Sequence, residues 1–236
     1  MSKYQVAAVA FGGILLASSF ALSTRGSAET AVVVPPFAMA QTADAKAESE
    51  KAVLAGGCFW GVQGVYQHLK GVRNAVSGYA GGPADKAQYE IVSTGTTGHA
   101  ESVEITFDPR VVSYATILQV YFSVAHNPTE LNRQGPDSGT QYRSAIFPQS
   151  DAQKEAAEAY IQQLGKTGIF DAPIVTTIET AKTFYPAEPY HQDYATLHPD
   201  NPYIAYNDLP KIDNLSRLFP DLYQPKPTLV AASGSN

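Results

Sequence analysis

Gly56-Gly57-Cys58-Phe59-Trp60-Gly61 holds the only cysteine and the only tryptophan in 236 residues. Immediately before it, Lys51-Ala52-Val53-Leu54-Ala55 reads as a short buried strand. After it, Val62, Val65, Tyr66 and Leu69 recur at helical spacing, and Lys70-Gly71 supplies a cation and a stop. Cys58 is therefore predicted at a strand-to-helix junction. Unpaired N–H groups and the positive end of the helix dipole favour an anion there, so the thiolate is expected to be stabilised over the thiol. A cysteine of ordinary pKa is only about 3% thiolate at neutral pH, and a fall of about one unit would raise that to about a quarter. The flanking glycines admit a second molecule close to the sulfur. Phe59 and Trp60 can wall an apolar pocket beside it. The competing reading is an inert structural cysteine at a tight junction.

The next segments alternate. Val72–Tyr79 reads as a strand, Ala80-Gly81-Gly82-Pro83 as a turn, and Tyr89–Ser93 as a short helix. Thr94-Gly95-Thr96-Thr97-Gly98-His99 is glycine-rich but lacks the Gly-Lys-Ser/Thr ending of a phosphate loop. Ser102–Phe107 sets Val103, Ile105 and Phe107 against Glu104 and Thr106, a half-buried strand. Ser113 caps a helix that Asn127-Pro128 stops, Thr129–Thr140 reads as a polar loop, and Tyr142–Phe147 as a strand. Ser150-Asp151-Ala152-Gln153 is a capping box opening a third helix, and Ile174–Ala181 reads as another strand. From Phe184 on, Pro, Tyr, Asn and Asp dominate with little periodicity, so this segment is expected to wrap the surface without adding a layer. The alternation favours an α/β or α+β sandwich with helices on a mixed sheet.

Residues 1–40 read as targeting: Lys3, an uncharged apolar or small run Val6–Leu22, and a small-x-small site at Ala38-Met39-Ala40, with Gly26-Ser27-Ala28 an earlier candidate. In a bacterium this implies export to the periplasm, or anchoring to the inner membrane by an uncleaved leader. Residues 41–50 read as a linker, 51–223 as the folded domain and 224–236 as a tail. The net charge of −6 and the lack of any Lys/Arg run argue against a nucleic-acid partner. A single cysteine forbids an internal disulfide, and His99, His191 and His198 match no common zinc spacing. His191, near Asp193, is a candidate for the outer shell of the site. A monomer is expected.

Five stretches converge on one family: Gly57-Cys58-Phe59-Trp60-Gly61, Gly78-Tyr79-Ala80-Gly81-Gly82, Gly98-His99-Ala100-Glu101, Gly139-Thr140-Gln141-Tyr142-Arg143-Ser144 and Tyr190-His191-Gln192-Asp193-Tyr194. In that order, over roughly Lys51 to Tyr223, the chain resembles the A-type peptide-methionine (S)-S-oxide reductases. The resemblance implies a two-layer sandwich with a ferredoxin-like core and reduction of the S epimer of methionine sulfoxide, free or in proteins. One reductase type serves each epimer. It further implies Cys58 as nucleophile, Phe59 and Trp60 as the pocket for the S-methyl group, and Glu101 as the acid near the sulfoxide oxygen. Tyr89, Asp137 and Tyr142 match the family's polar contacts. No cofactor or metal is implied, only an external thiol reductant such as thioredoxin or glutaredoxin.

These residue types suit the chemistry independently. The sulfoxide oxygen is a poor leaving group, so thiolate attack on sulfur needs proton donation to oxygen. A carboxyl can donate only if its pKa is raised, as desolvation would do. Taken singly, Glu101 could be a solvated strand end, Tyr89 and Tyr142 core edges, and Asp137 turn chemistry. Two departures from the family pattern stand out: no cysteine follows Cys58, and Asn127 occupies a position that is often aspartate. A one-cysteine cycle is therefore expected, in which an external thiol attacks the sulfenic acid directly. The rivals are a cysteine hydrolase pairing Cys58 with a histidine, and an exported peptide-binding module with an inert cysteine.

Overall fold

Strand β1 (Glu50–Gly56) explains why its sequence runs apolar without alternation: both of its faces are buried. Ala52 and Leu54 join the main core, whereas Val53 and Ala55 join a smaller cluster with Ala145, Phe147 and Phe184. The computed structural model describes residues 31–38, 47–180 and 183–230. β1 is followed by α1 (Phe59–Gln67), β2 (Val72–Ala80), α2 (Tyr89–Val92), β3 (Ala100–Phe107) and α3 (Tyr114–Val120), which a π-helical turn extends through Tyr121–Ala125. A two-residue hairpin, β4 (Arg133–Gln134) and β5 (Asp137–Ser138), then leads through a 3-10 turn to β6 (Ser144–Phe147) and α4 (Asp151–Gly165). The remainder holds β7 (Thr177–Ile178), β8 (Phe184–Pro186), α5 (Tyr194–Leu197) and α6 (Leu209–Leu218).

The main sheet has the order β7-β6-β1-β3-β2-β8. β3 lies between β1 and β2 and runs antiparallel to both, β6 is antiparallel to β1, and only the β6–β7 pair is parallel. The units β1-α1-β2 and β3-α3-β6 thus interleave as a ferredoxin-like core with an extra strand at each edge. Helices α1, α3 and α4 share one core with Leu54, Val103, Ile105 and Phe107, so the sheet carries its helices on one face. Ser113 and Ser150 cap α3 and α4 by accepting the amides of Thr116 and Gln153 at 3.1 and 3.2 Å.

Four segments differ from the sequence expectation. The strand anticipated over 174–181 is reduced to Thr177–Ile178. It is an edge strand, and beyond it the Glu179 side chain turns to Arg143, with two contacts of 2.7 and 2.8 Å. Tyr142 does not open β6 but closes the 3-10 turn Thr140–Tyr142, because Gly139 at φ +140° bends the chain there. The segment after Phe184 does add to the helical layer: α6 packs on α1 and buries Ile212 and Leu215. Its apolar period was hidden by Pro210, which is tolerated in a first turn, and by polar neighbours. Finally, residues 224–230 of the expected tail are held, with Gln224 and Thr228 donating to the carbonyls of His68 and Gln67 at 2.8 and 2.9 Å. Residues 231–236 lie outside the described ones.

At the other end, fold contacts begin upstream of Lys51. Val32 donates its amide to the Ser123 carbonyl at 3.0 Å, Tyr160 donates to the Pro35 carbonyl at 2.7 Å, and Val34 is fully buried. Val34→Ala is expected to cost about 1–2 kcal/mol, from the apolar area it stops burying, and a denaturant melt would measure it. The leader run Val6–Leu22 and the site at Gly26-Ser27-Ala28 lie outside the described residues, as do Met39 and Ala40 of the later site. No described helix is long and apolar enough to cross a membrane.

Candidate active site

The β1-to-α1 junction is built on close approaches. Gly57 has φ +86°, and a Cβ there would lie 2.5 Å from Gln134 Cβ. Gln134 is clamped in turn, accepting the Asn127 amide at 2.9 Å and donating to the Asn127 carbonyl at 2.8 Å. The loop that carries β4 and β5 is thereby held over Cys58. Gly57→Ala meets both a strained backbone and a clash, so a loss of about 1–3 kcal/mol in unfolding free energy is expected, readable as a lower Tm. Asn127 itself accepts the Thr129 amide and hydroxyl at 3.0 and 2.7 Å through Oδ1. An aspartate oxygen would accept the same two bonds.

Cys58 is the N-cap of α1, 8% exposed, with no side-chain capping bond. Glu101 sits at the start of β3, on the same face as Val103 and Ile105, which aims it under the first turn of α1. Its Oε2 accepts the Phe59 amide at 3.1 Å, and it is 3% exposed. So it is no solvated strand end. Burial pushes its pKa up to about 8, with the Phe59 amide opposing and Asp137 and Asp208 reinforcing the rise. It is therefore a neutral acid at pH 7 that is already bonded to the helix start.

The expectation of a stabilised thiolate is overturned. Burial raises the Cys58 pKa well above the ordinary thiol value, and the carboxylates of Asp208, Glu101 and Asp137 add to the rise. The amide of Trp60 pulls the other way. The helix start does act as expected, but desolvation and three acids outweigh it. Alkylation of the resting enzyme by iodoacetamide at neutral pH should consequently be slower than that of a free thiol, not faster.

The aromatic residues form a stack beside the sulfur. Trp60 lies flat on Tyr194, with ring centres 4.0 Å apart, and donates its Nε1 hydrogen to His191 Nδ1 at 3.2 Å. Phe59 is 1% exposed and packs against Tyr79 and His191, while half-buried Trp60 reaches the cleft only through Tyr203. The Tyr89 ring rests 4.5 Å from His191, and its amide donates to Glu188 at 2.9 Å. Tyr142 couples electrostatically to Glu101, Asp137, Cys58 and Tyr89, and burial raises its pKa. Of the seven residues singled out in the sequence, Cys58 and Asp137 line the cleft itself, while Glu101 bonds the residue after Cys58 and Trp60 stands against Tyr203 of the cleft wall. His191 serves Trp60, whereas Asp193 turns away to Gln67 and the amide of Val230.

Sequence reasoning missed Tyr203, Asp208 and Lys211. Tyr203 donates its hydroxyl to Asp137 Oδ2 and stands edge-on to Trp60. Asp208 is fully buried against α1: a Cβ on Gly61 would lie 2.2 Å from its Oδ1, so only glycine admits it. Lys211 Nζ stands 4.0 Å from Asp208 and, with Cys58, Asp137 and Tyr203, lines a cleft of about 10 Å³. The one available signal was Gly61, an otherwise unexplained small residue inside the first turn. Of the histidines that the hydrolase rival could use, His126 and His99 are engaged at 2.7 and 2.9 Å with Ser144 and the Pro83 carbonyl, whereas His191 accepts from Trp60 through Nδ1 alone. Among the described residues no group of three or more His, Cys, Asp and Glu is placed to hold a metal.

The geometry thus puts a thiol, a buried carboxyl of raised pKa and phenol groups close together at one small cleft, a set able to attack a soft electrophilic centre while protonating its oxygen. A family model described as peptide methionine sulfoxide reductase matches residues 50–221. Peptide methionine sulfoxide reductase MsrA 2 of Mesorhizobium japonicum is 67% identical over 187 residues, 79% of this chain and 96% of that protein. The MsrA of Chromobacterium violaceum is 50% identical over 74% of this chain and 99% of its own length. Methionine sulfoxide reductase A of Corynebacterium diphtheriae, a solved structure, superposes with a TM-score of 0.56 at 33% identity, covering 70% of this chain and 82% of that one. Given so long a match and such identity over nearly whole relatives, the chain belongs to the peptide methionine sulfoxide reductase family.

Proposed function

We propose that this oxidoreductase, which reduces methionine sulfoxide and so repairs oxidised proteins, acts on the S epimer by attack of Cys58 on sulfur with Glu101 as proton donor. The observation that carries the reading is the Glu101 carboxyl: buried, neutral to about pH 8, and bonded at 3.1 Å to the residue after Cys58. Glu101 gives its proton to the sulfoxide oxygen as the substrate S–O bond breaks. The proton lost by Cys58 makes good that loss, so none is exchanged with solvent overall. The released hydroxyl then adds to Cys58 Sγ and the sulfur–sulfur bond formed in the attack breaks, so the thioether leaves with that electron pair and Cys58 is oxidised to a sulfenic acid. Tyr89 and Tyr142 donate to the oxygen as charge develops on it, Asp137 orders the far wall through Tyr203, and Phe59 and Trp60 receive the S-methyl group.

With one cysteine in 236 residues, the sulfenic acid is reduced by an external thiol, of the thioredoxin or glutaredoxin type. Incubating the purified protein with each sulfoxide epimer and dithiothreitol tests the whole reading. Methionine should be released from the S epimer alone, and release from the R epimer, or from neither, would refute it.

Export remains a proposal carried by residues 1–30. The docking of residues 31–38 on α3 and α4 supports processing at Gly26-Ser27-Ala28, since a cut after Ala40 would remove Val34 from the core. N-terminal sequencing of the protein recovered from a periplasmic fraction should begin near Glu29; a start at Gln41, or recovery in the cytoplasm, would contradict this.

A further inference from the structure

A second cavity of about 570 Å³ opens beside the Cys58 cleft, and the two share Gly135, Pro136 and Asn207 as a common wall. Its lining is mixed: Ile169, Phe170 and Val32 of the docked N-terminal segment form an apolar part beside polar Asn127, Thr129 and Asp171. Two π-helical turns, Tyr121–Ala125 and Ile204–Asp208, supply opposite sides through Phe122 and Tyr206. π-Helical turns are costly and concentrate at functional positions. Tyr206 is 71% exposed, a large aromatic side chain that the fold itself does not use. The rim cation Arg133 is matched by Glu130 at 3.5 Å, so the groove has no strong charge preference.

The cleft at Cys58, at about 10 Å³, is far too small to admit a main chain. An oxidised methionine within a polypeptide must therefore leave its main chain outside, crossing the surface on either side of the cleft. The groove starts at the cleft wall, and its volume is that of a pocket for a ligand of roughly three or four residues. We propose that it is a subsite for the polypeptide flanking the oxidised methionine, selecting apolar side chains within a few residues of it. This rests on the reductase reading above and names the substrates that reading favours: protein segments that were buried before oxidation exposed them.

The test compares N-acetylmethionine sulfoxide amide with an eight-residue peptide carrying one S-epimer sulfoxide and leucine or phenylalanine on both sides, under saturating dithiothreitol. In Tyr206→Ala combined with Ile169→Ser, kcat/KM for the peptide should fall about tenfold, while that for the small substrate stays within about twofold. Tyr206→Ala alone, at an exposed position, should give about a threefold loss and guards against misfolding of the double variant. Equal losses on both substrates, or none on either, would overturn the subsite. So would a loss seen only when thioredoxin replaces dithiothreitol, which would assign the groove to the reductant. Failure of the reductase reading would look different: the unmodified protein would turn over neither substrate.

Discussion

Cys58→Ser should abolish turnover, lowering kcat/KM by about four orders of magnitude or more, because a serine oxygen can neither accept the substrate oxygen reversibly nor be restored by a thiol. The loss should not come from unfolding. Cys58 is an N-cap without a capping bond, and serine is among the side chains that fill that role best. The variant should therefore melt at or above the Tm of the parent and still bind substrate. Residual turnover above about one per cent, in protein confirmed free of parent enzyme, would require another nucleophile and would contradict the role given to Cys58.

Glu101→Gln is the second large effect, a loss of about 10²- to 10⁴-fold in the rate of methionine formation in a single turnover. The substitution is unusually clean. Glu101 is already neutral at pH 7, and a glutamine carbonyl can keep accepting the Phe59 amide, so chiefly the transferable proton is removed. Affinity for substrate should stay within a few fold. In the parent, the single-turnover rate should be level at neutral pH and fall as pH rises through about 8, when Glu101 loses its proton. It should not climb with pH, because the reacting form holds both protons: the one Cys58 gives up replaces the one Glu101 donates. In the glutamine variant the fall near pH 8 should vanish. Stability has the same sign. The folded protein holds this proton to about pH 8 whereas an unfolded chain releases it near about pH 4.3, so the contribution is intact below the lower value and is lost as pH rises through the higher.

The parts of this site legible in the sequence are those with local signatures. The strand, glycine pair and helix around Cys58 follow from period and backbone freedom, and β3 from the alternation of Val103, Ile105 and Phe107. Glu101, Tyr89, Tyr142 and Asp137 were not legible one at a time. Each sits where strand ends, short helices and turns put polar residues anyway, and only the ordered motifs grouped them. Tyr203, Asp208 and Lys211 escaped because their meaning is wholly tertiary: α6 folds back on α1 through contacts between residues some 150 positions apart in a segment whose prolines and amides hide its period. The direction of the Cys58 pKa shift failed for a related reason. A helix start is visible in sequence, but the desolvation and the acids that outweigh it come from β3, the β4–β5 hairpin and the turn before α6.

The central claim is that the thiol of Cys58 itself takes the oxygen. Mixing stoichiometric S-epimer substrate with the enzyme in the absence of any reductant, then measuring methionine and the intact mass of the protein together, tests it most directly. One methionine should appear per enzyme, with Cys58 carrying one added oxygen as a dimedone-reactive sulfenic acid and no cross-link. Methionine released while Cys58 stays a thiol, or formed only by way of a dimer joined through Cys58, would contradict it.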